Sequence, residues 1–222
     1  MDRTPDPFVF FQVSSKFAAD AFNFHQSISS SNEHIWPRTE EQIKEYAESG
    51  ELFAVRIAST QEFVGLCYVT LDDTNQWEVG GVTVANNVQK FHLGSVLVRF
   101  ALAHTIAYQR PWQYEQKIIA HVHEDNQKPR HLLARIGFEF TKKVEVPGDV
   151  APASMKRNAE GKVSGDEFEF PPKAVVGLQE WFERDPSGML ADGHTPAIFE
   201  NPPGGLESIR ESLREAVTEM RK

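Results

Sequence analysis

The spacing of apolar residues along the chain alternates between the period of a helix and that of a strand. Residues 17–28 and 93–108 repeat apolar side chains every three or four positions, which predicts two amphipathic helices. Residues 52–58 and 63–71 are short apolar runs joined by a polar turn, a pattern typical of an antiparallel hairpin. The other predicted elements are a helix capped by Thr39 and ended by Gly50, strands over 77–84, 117–123 and 137–146, a short helix over 129–135, a return strand over 165–170, and helices over 175–184 and 206–222.

Glycine and proline mark the places where these regular patterns break. Gly80 and Gly81 interrupt the predicted strand over 77–84, which indicates a β-bulge or a close approach of another group to the backbone. Residues 147–165 are rich in Pro, Gly, Ala, Ser and Lys and predict a mobile loop. Residues 185–205 are rich in Pro and Gly and predict a connector between the last two helices.

The composition is that of an ordinary globular protein, with 40% hydrophobic and 25% charged residues among 222. A formal net charge of −9 disfavours a nucleic-acid partner, because phosphate binding requires a basic surface. The single cysteine, Cys67, lies in an apolar run, which favours a buried thiol over a nucleophile. No apolar run is long enough for a bilayer and the first residues do not resemble a secretory signal, so we expect a cytoplasmic protein without membrane contact.

The segment from Val84 to Ser95 carries the most informative chemistry. A predicted strand ends, a polar loop follows, and a long helix begins at a glycine, Gly94, with no acidic residue in its first turn. Unpaired backbone N–H groups and the positive end of the helix dipole at such a place favour a bound pyrophosphate. A glycine lets the phosphate approach the backbone.

This segment resembles the acyl-CoA pyrophosphate loop of the GNAT (GCN5-related N-acetyltransferase) superfamily. The superfamily pattern is Gln or Arg, two residues, Gly, one residue, and Gly or Ala. Gln89 fills its first position and Gly94 its last, whereas His92 replaces the middle glycine. A second segment is similar to another hallmark of the superfamily, an asparagine followed by a short helix and a Gly-Phe pair, represented here by Asn126 and by Gly137-Phe138.

The resemblance implies an α/β (α+β) fold with a mixed, mostly antiparallel sheet, a central pair of splayed parallel strands over 77–84 and 117–123, and helices on both faces. It also implies transfer of an acetyl or other acyl group from acetyl-CoA, or a related acyl-CoA, to an amine of a small molecule or protein. The implied cofactor-binding residues are Val82 and Val84 for pantetheine, Gln89, Lys90, His92, Leu93, Gly94 and Ser95 for the pyrophosphate, Asn126 after the strand, and Arg130, with Lys90, for the nucleotide phosphates.

Acyl transfer to an amine requires a base for the amine proton and a proton for the departing thiolate. The resemblance implies Glu78 as the candidate base, because it precedes Val84 by the same distance as the general-base glutamate in the histone acetyltransferase branch of the superfamily. The alternative is a strand-edge glutamate that faces solvent. Many members carry a tyrosine as the acid where this chain has Leu133, so water or another donor must serve, or the protein does not catalyse transfer. The candidate donors are His123, Tyr108 and Tyr114. His121 and His123 share a strand face, but two histidines alone favour packing over metal binding, and no metal site is predicted.

Two classes of function remain open at this level. The first is an active N-acyltransferase, and the second is a GNAT-like domain that binds acyl-CoA as a sensor or interaction module. A toxin that acetylates charged tRNA is disfavoured by the acidic balance. We expect residues 1–170 to form the acyl-CoA-binding domain and 171–222 a helical extension packed on or beside it. The extension carries more apolar residues than a free tail requires, so they must be covered. Either the extension folds over the acceptor side of this chain as a lid, or it pairs with a second copy in a homodimer. The apolar residues are Trp181, Phe182, Leu190, Ile198 and Phe199.

Overall fold

The computed structural model describes residues 6–30, 32, 34–149, 151, 153, 155–184, 190–200 and 205–220. Its core is one eight-stranded mixed sheet with the strand order β6-β7-β5-β4-β3-β2-β1-β8. The strands are β1 (Phe8–Gln12), β2 (Leu52–Ile57), β3 (Phe63–Leu71), β4 (Trp77–Val84), β5 (Ile118–His123), β6 (Glu139–Val146), β7 (Val163–Glu169) and β8 (Ala197–Glu200). Neighbouring strands are antiparallel except for the pairs β4–β5 and β1–β8.

Within the described residues, six α-helices cover the two faces of this sheet. Alternate residues of β1 enter different cores, because successive side chains of a strand point to opposite faces. Phe8 and Phe10 pack with the long helix and the C-terminal helices, whereas Val9 and Phe11 pack with the first two helices. The helices are α1 (Ala18–Ser29), α2 (Glu40–Glu48), α3 (Leu93–Gln109), α4 (Gln127–Ile136), α5 (Val175–Phe182) and α6 (Gly205–Met220).

The parallel strands β4 and β5 separate soon after they meet, as predicted. They pair only at Trp77–Ile118 and Glu78–Ile119. Beyond these residues β4 bends through Gly80 and Gly81, where its register with β3 shifts. A side chain at either glycine would overlap the ring of Tyr68, and Gly81 has a φ of +58°. Both the predicted bulge and the predicted close approach are therefore present, and they open a cleft between β4 and β5.

Two strands of this sheet were not predicted. β1 lies in the first dozen residues and pairs antiparallel with β2, while β8 lies in the predicted connector and pairs parallel with β1. Strand β7 begins at Val163, inside the predicted mobile loop, and pairs with β6 as expected. Parts of that loop and of the connector, residues 150, 152, 154, 185–189 and 201–204, lie outside the described residues. Among the described residues, no helix is long and apolar enough to cross a membrane.

Residues after 170 share the sheet and the core with the rest of the chain. Helix α6 packs on α3 through Ile209, Leu213 and Val217, which are buried. The ring of Phe199 lies 5.4 Å from the rings of Phe10 and Phe100. Trp181, Phe182 and Leu190 are also buried, whereas Ile198 at the sheet edge is exposed. This chain itself thus covers most of the apolar residues of the extension, and the division at residue 170 stays a prediction.

Candidate active site

A cavity of about 670 Å³ lies in the cleft where β4 and β5 separate. The second half of β4 forms one wall and β5 forms the other, with the first turn of α3 and one side of α4 at one end. The connection between α1 and α2 and the β6–β7 hairpin close the opposite end. Most of the predicted site residues line it: Glu78, Val82, Val84, Gln89, His92, Leu93, Gly94, Ser95 and Asn126.

The loop before α3 reaches the cavity through an unusual backbone conformation at His92. A 3-10 turn spans Asn86–Phe91, and His92 then adopts the left-handed region, with φ 58° and ψ 30°, before α3 begins at Leu93. A left-handed residue is most readily a glycine, which explains why the superfamily pattern carries glycine at this position. In this chain a histidine adopts that conformation.

The first turn of α3 presents backbone N–H groups to the cavity. Gly94 is buried between β4 and α4, and an added Cβ would lie 3.4 Å from Leu132 Cδ1 and from Val84 Cγ2. The first turn carries no acidic residue. The Ser95 N–H donates to the His92 carbonyl at 2.9 Å, whereas the N–H groups of Leu93 and Gly94 precede any acceptor inside the helix. These two groups and the helix dipole favour an anion in the cavity.

The cations beside this loop are not the ones expected from the sequence. Arg130 forms an ion pair with buried Asp166, and Lys90 lies over the ring of Phe91, 5.0 Å from its centroid. Neither residue is among those that line the cavity. Three other basic side chains of α4 do line it, on one face of the helix, and they are Lys128, His131 and Arg135.

A further arginine lies in the second turn of α3. Arg99 donates to the backbone carbonyl of Arg135 at 3.1 Å and bonds the Ser95 hydroxyl. Burial, together with the charges of Arg135 and Arg184, lowers the pKa of Arg99 to about 10. Like charges grouped in this way create a positive local potential that favours an anionic ligand nearby. The helical spacing of Lys128, His131 and Arg135 could have placed Arg135 on the same face of α4 from the sequence alone. The burial of Arg99 could not be predicted in this way, because it depends on tertiary packing.

Glu78 belongs to a chain of charged side chains that crosses three strands. Its Oε1 lies 3.1 Å from His121 Nδ1, and His121 Nε2 lies 3.4 Å from Glu167 Oε2. Carboxylates only accept hydrogen bonds, so an imidazole between two of them is best satisfied when both nitrogens carry protons. The hydrogen bond to Glu78 is the largest of the effects that raise the pKa of His121. Glu167 is held in turn by Thr141 and Lys142.

The candidate donors for the thiolate occupy different places. Tyr108 and Tyr114 lie near the far end of α3 and do not line the cavity, whereas Leu133, at the usual tyrosine position, is buried and lines it without a donor group. His123 lines the cavity. Its Nδ1 accepts the backbone N–H of Asp125 at 3.2 Å, and within the described part of the chain its buried Nε2 has no partner.

Metal or thiol chemistry finds little support in the described residues. No group of three or more His, Cys, Asp or Glu side chains there is arranged to hold a metal ion. Cys67 is fully buried in the sheet, as its apolar neighbours predicted, and burial raises the pKa of its thiol. A raised pKa leaves the thiol protonated and unreactive.

Solved structures share this fold. An acetyltransferase of the GNAT family from Streptococcus pneumoniae is 17% identical, with a TM-score of 0.55 over 73% of this chain and 98% of that one. The diaminobutyrate acetyltransferase of Paenibacillus lautus, in complex with its substrate and coenzyme A, is 10% identical, with a TM-score of 0.56 over 75% and 96%. The Escherichia coli ribosomal-protein-S18-alanine N-acetyltransferase is 12% identical, with a TM-score of 0.54 over 74% and 93%. No curated protein sequence matches the chain.

The fold and the cleft define the class of protein as an acyltransferase that transfers an acyl group from acyl-CoA to an amine. Residues 21–138 match the Acetyltransferase (GNAT) family, which is more than half of the chain. The chain therefore belongs to the GNAT family of acetyltransferases.

Proposed function

We propose that this protein is an active N-acetyltransferase that uses acetyl-CoA as its acyl donor and Glu78 as its general base. One observation carries the proposal: a single cavity contains the N-terminus of α3, the splayed strands and the Glu78 carboxylate. The purely binding alternative gains no support from this arrangement, because a sensor does not require a carboxylate beside the acyl group.

The helix N-terminus and α4 supply the cofactor site. The pyrophosphate would lie against the backbone from Gln89 to Ser95 and the pantetheine along Val82 and Val84, where the bulged strand leaves its backbone unpaired by β5. Lys128 and Arg135 give this end of the cavity positive charge although the protein as a whole is acidic, and His131 lies on the same face of α4. Arg130 keeps a structural role in this proposal, because its guanidinium is occupied by Asp166.

The reaction would proceed by attack of a neutral amine on the thioester carbonyl carbon. A C–N bond forms, the C–S bond breaks, and the amine proton passes to Glu78. His121 is a positioning residue, because its hydrogen bond orients Glu78 and its positive charge offsets the carboxylate. His123 Nε2 would donate a hydrogen bond to the departing thiolate, whose proton comes from water.

We further propose a cytoplasmic location and an amine acceptor that is a small molecule or a protein. Residues 171–222 would then form an extension that supports α3 from behind, since none of its described residues lines the cavity. We include a homodimer in this proposal, and the molecular mass in solution would test it.

The proposal is tested by an acceptor screen that detects free CoA thiol, run on the wild type, Glu78→Gln and Glu180→Gln. Glu180 lies on the exposed side of α5, outside the cavity, and provides the matched control. We expect Glu78→Gln to lower turnover by about 100- to 10,000-fold, the usual contribution of a general base, while acetyl-CoA still binds. Equal turnover by Glu78→Gln and the control would refute Glu78 as the base.

A further inference from the structure

The end of the cavity opposite the phosphate loop contains an arginine that is held firmly in place. Arg38 ends the connection between α1 and α2, and its backbone N–H donates to Nε2 of buried His25 at 3.2 Å. The next residue, Thr39, caps α2 in a reciprocal pair of hydrogen bonds with Gln42. The backbone of Arg38 is thus anchored from both helices, which fixes where its side chain enters the cavity.

The side chain of Arg38 is equally well positioned. Its Nη2 and Nε donate to Tyr68 Oη at 2.7 and 3.2 Å, and its guanidinium lies 5.0 Å from the centroid of the Tyr68 ring. Burial raises the pKa of Tyr68 to about 12, so the phenol keeps its proton. Since both hydrogen bonds are accepted by the phenol oxygen, its O–H remains a donor toward the cavity.

Arg38 lacks the anionic partner that a half-buried guanidinium normally has. Among the described residues, no carboxylate lies within ion-pair distance of Arg38, although Glu78 interacts with its charge from farther away. Only two of the five N–H donors that a guanidinium carries are directed to Tyr68. Because Arg38, Tyr68 and Glu78 all line the same cavity, this end of it offers donors and positive charge to a ligand beside the proposed base.

The cavity that contains Arg38 also has an apolar part. Ile35 and Trp36 come from the α1–α2 connection, beside polar Asn32 and His34, while Val146 and Met155 come from the β6–β7 hairpin and its loop. Trp36 and Val146 pack with Met155 in one small cluster, so the two connections meet at the cavity. A ligand in this cavity therefore has apolar side chains to pack against.

We infer that the acceptor is an amine that carries its own carboxylate, an amino acid with an apolar side chain. The carboxylate binds the Arg38 guanidinium and the Tyr68 O–H, the amine lies at Glu78, and the side chain packs on Trp36 and Met155. The planar guanidinium fork matches a carboxylate geometrically. The inference rests on the proposed function only for the role of Glu78.

The test uses amines that differ only in the carboxylate. L-Phenylalanine, L-phenylalaninamide and 2-phenylethylamine are titrated by calorimetry into the wild-type protein loaded with CoA, and L-leucine with 3-methylbutylamine forms a second set. A charge-assisted interaction of this kind predicts that the acid binds about 10- to 100-fold more tightly than its amide or its decarboxylated amine. Equal binding of the acids and their amides, or no measurable binding of either amino acid, overturns the inference.

Two variants assign the preference to Arg38. Arg38→Gln should reduce the ratio of acid to amide affinity at least tenfold, whereas Lys44→Gln, which removes an exposed charge from α2, should leave the ratio unchanged. Arg38→Lys keeps the positive charge but lacks the forked donors of the guanidinium, so it should give an intermediate ratio. If thermal unfolding shows that Arg38→Gln does not fold, Arg38→Lys takes its place in the test. An unchanged ratio in both Arg38 variants, or tighter binding of 2-aminoethyl phosphate than of the amino acids, contradicts the assignment. The ratio requires no turnover, so a failed turnover assay refutes the proposed function alone.

Discussion

Replacement of Gly81 by alanine should disturb the bulge that shapes the cleft. Gly81 lies in the left-handed region with φ +58°, and an added Cβ would overlap the Tyr68 ring, which is itself buried. A left-handed alanine costs about 1–2 kcal/mol, and forcing an extra carbon into a packed site costs about 1–3 kcal/mol. We therefore expect the free energy of unfolding to fall by about 2–5 kcal/mol.

Gly161→Ala is the matched control for this prediction. Gly161 also has a positive φ, +75°, but an added Cβ there meets no atom within 4 Å. Only the backbone strain of about 1–2 kcal/mol should appear. Urea unfolding followed by tryptophan fluorescence measures both variants, and the difference between them isolates the contact with Tyr68. Equal losses of stability in the two variants would show that Tyr68 does not lie against the bulge as described.

Two further predictions concern the stability of the protein. Partners in the folded protein raise the pKa of His121, so the stability that protonated His121 adds is fully present below its unfolded pKa of about 6.5 and is lost as pH rises through the folded pKa. His121→Gln should therefore lower the melting temperature more at about pH 5.5 than at about pH 9. A pH-independent effect would contradict this prediction. Leu213→Ala in α6 should cost about 2–5 kcal/mol because Leu213 is 0% exposed, whereas Leu71→Ala, at a residue 43% exposed, should cost less than about 1 kcal/mol; equal values in urea unfolding would mean that α6 is not part of the core.

Much of the fold could be predicted because its elements are local in sequence. The hairpin β2–β3, the long helix α3 and the capped helix α2 each carry their own periodicity or cap, and the paired glycines of β4 signalled the bulge. Strands β1 and β8 could not be predicted in this way. β8 has four residues inside a segment rich in proline and glycine, and it forms only because β1, almost two hundred residues earlier, offers an edge.

The site shows the same division between local and distant information. The segment from Gln89 to Ser95 is continuous, so the residues of it that line the cavity could be named from the sequence. Arg130 was expected to meet the nucleotide phosphates, but its guanidinium pairs with Asp166 on β7. Arg38 and His121 were not recognised as site residues, because their partners are distant in the sequence. Pairing of β5 with β7 brings Glu167 to His121, and packing of the α1–α2 connection brings Arg38 to Tyr68.

The most direct test of the cofactor site is a calorimetric titration of the wild type, Gly94→Glu and Gly177→Glu with acetyl-CoA. Gly94→Glu places a carboxylate where the pyrophosphate should lie, and Gly177→Glu adds the same charge on the exposed side of α5, where a Cβ meets no atom within 4 Å. We predict that the wild type and Gly177→Glu bind acetyl-CoA and that Gly94→Glu loses at least about 100-fold in affinity. No heat with the wild type, or equal affinity in all three proteins, would contradict an acyl-CoA site at the N-terminus of α3.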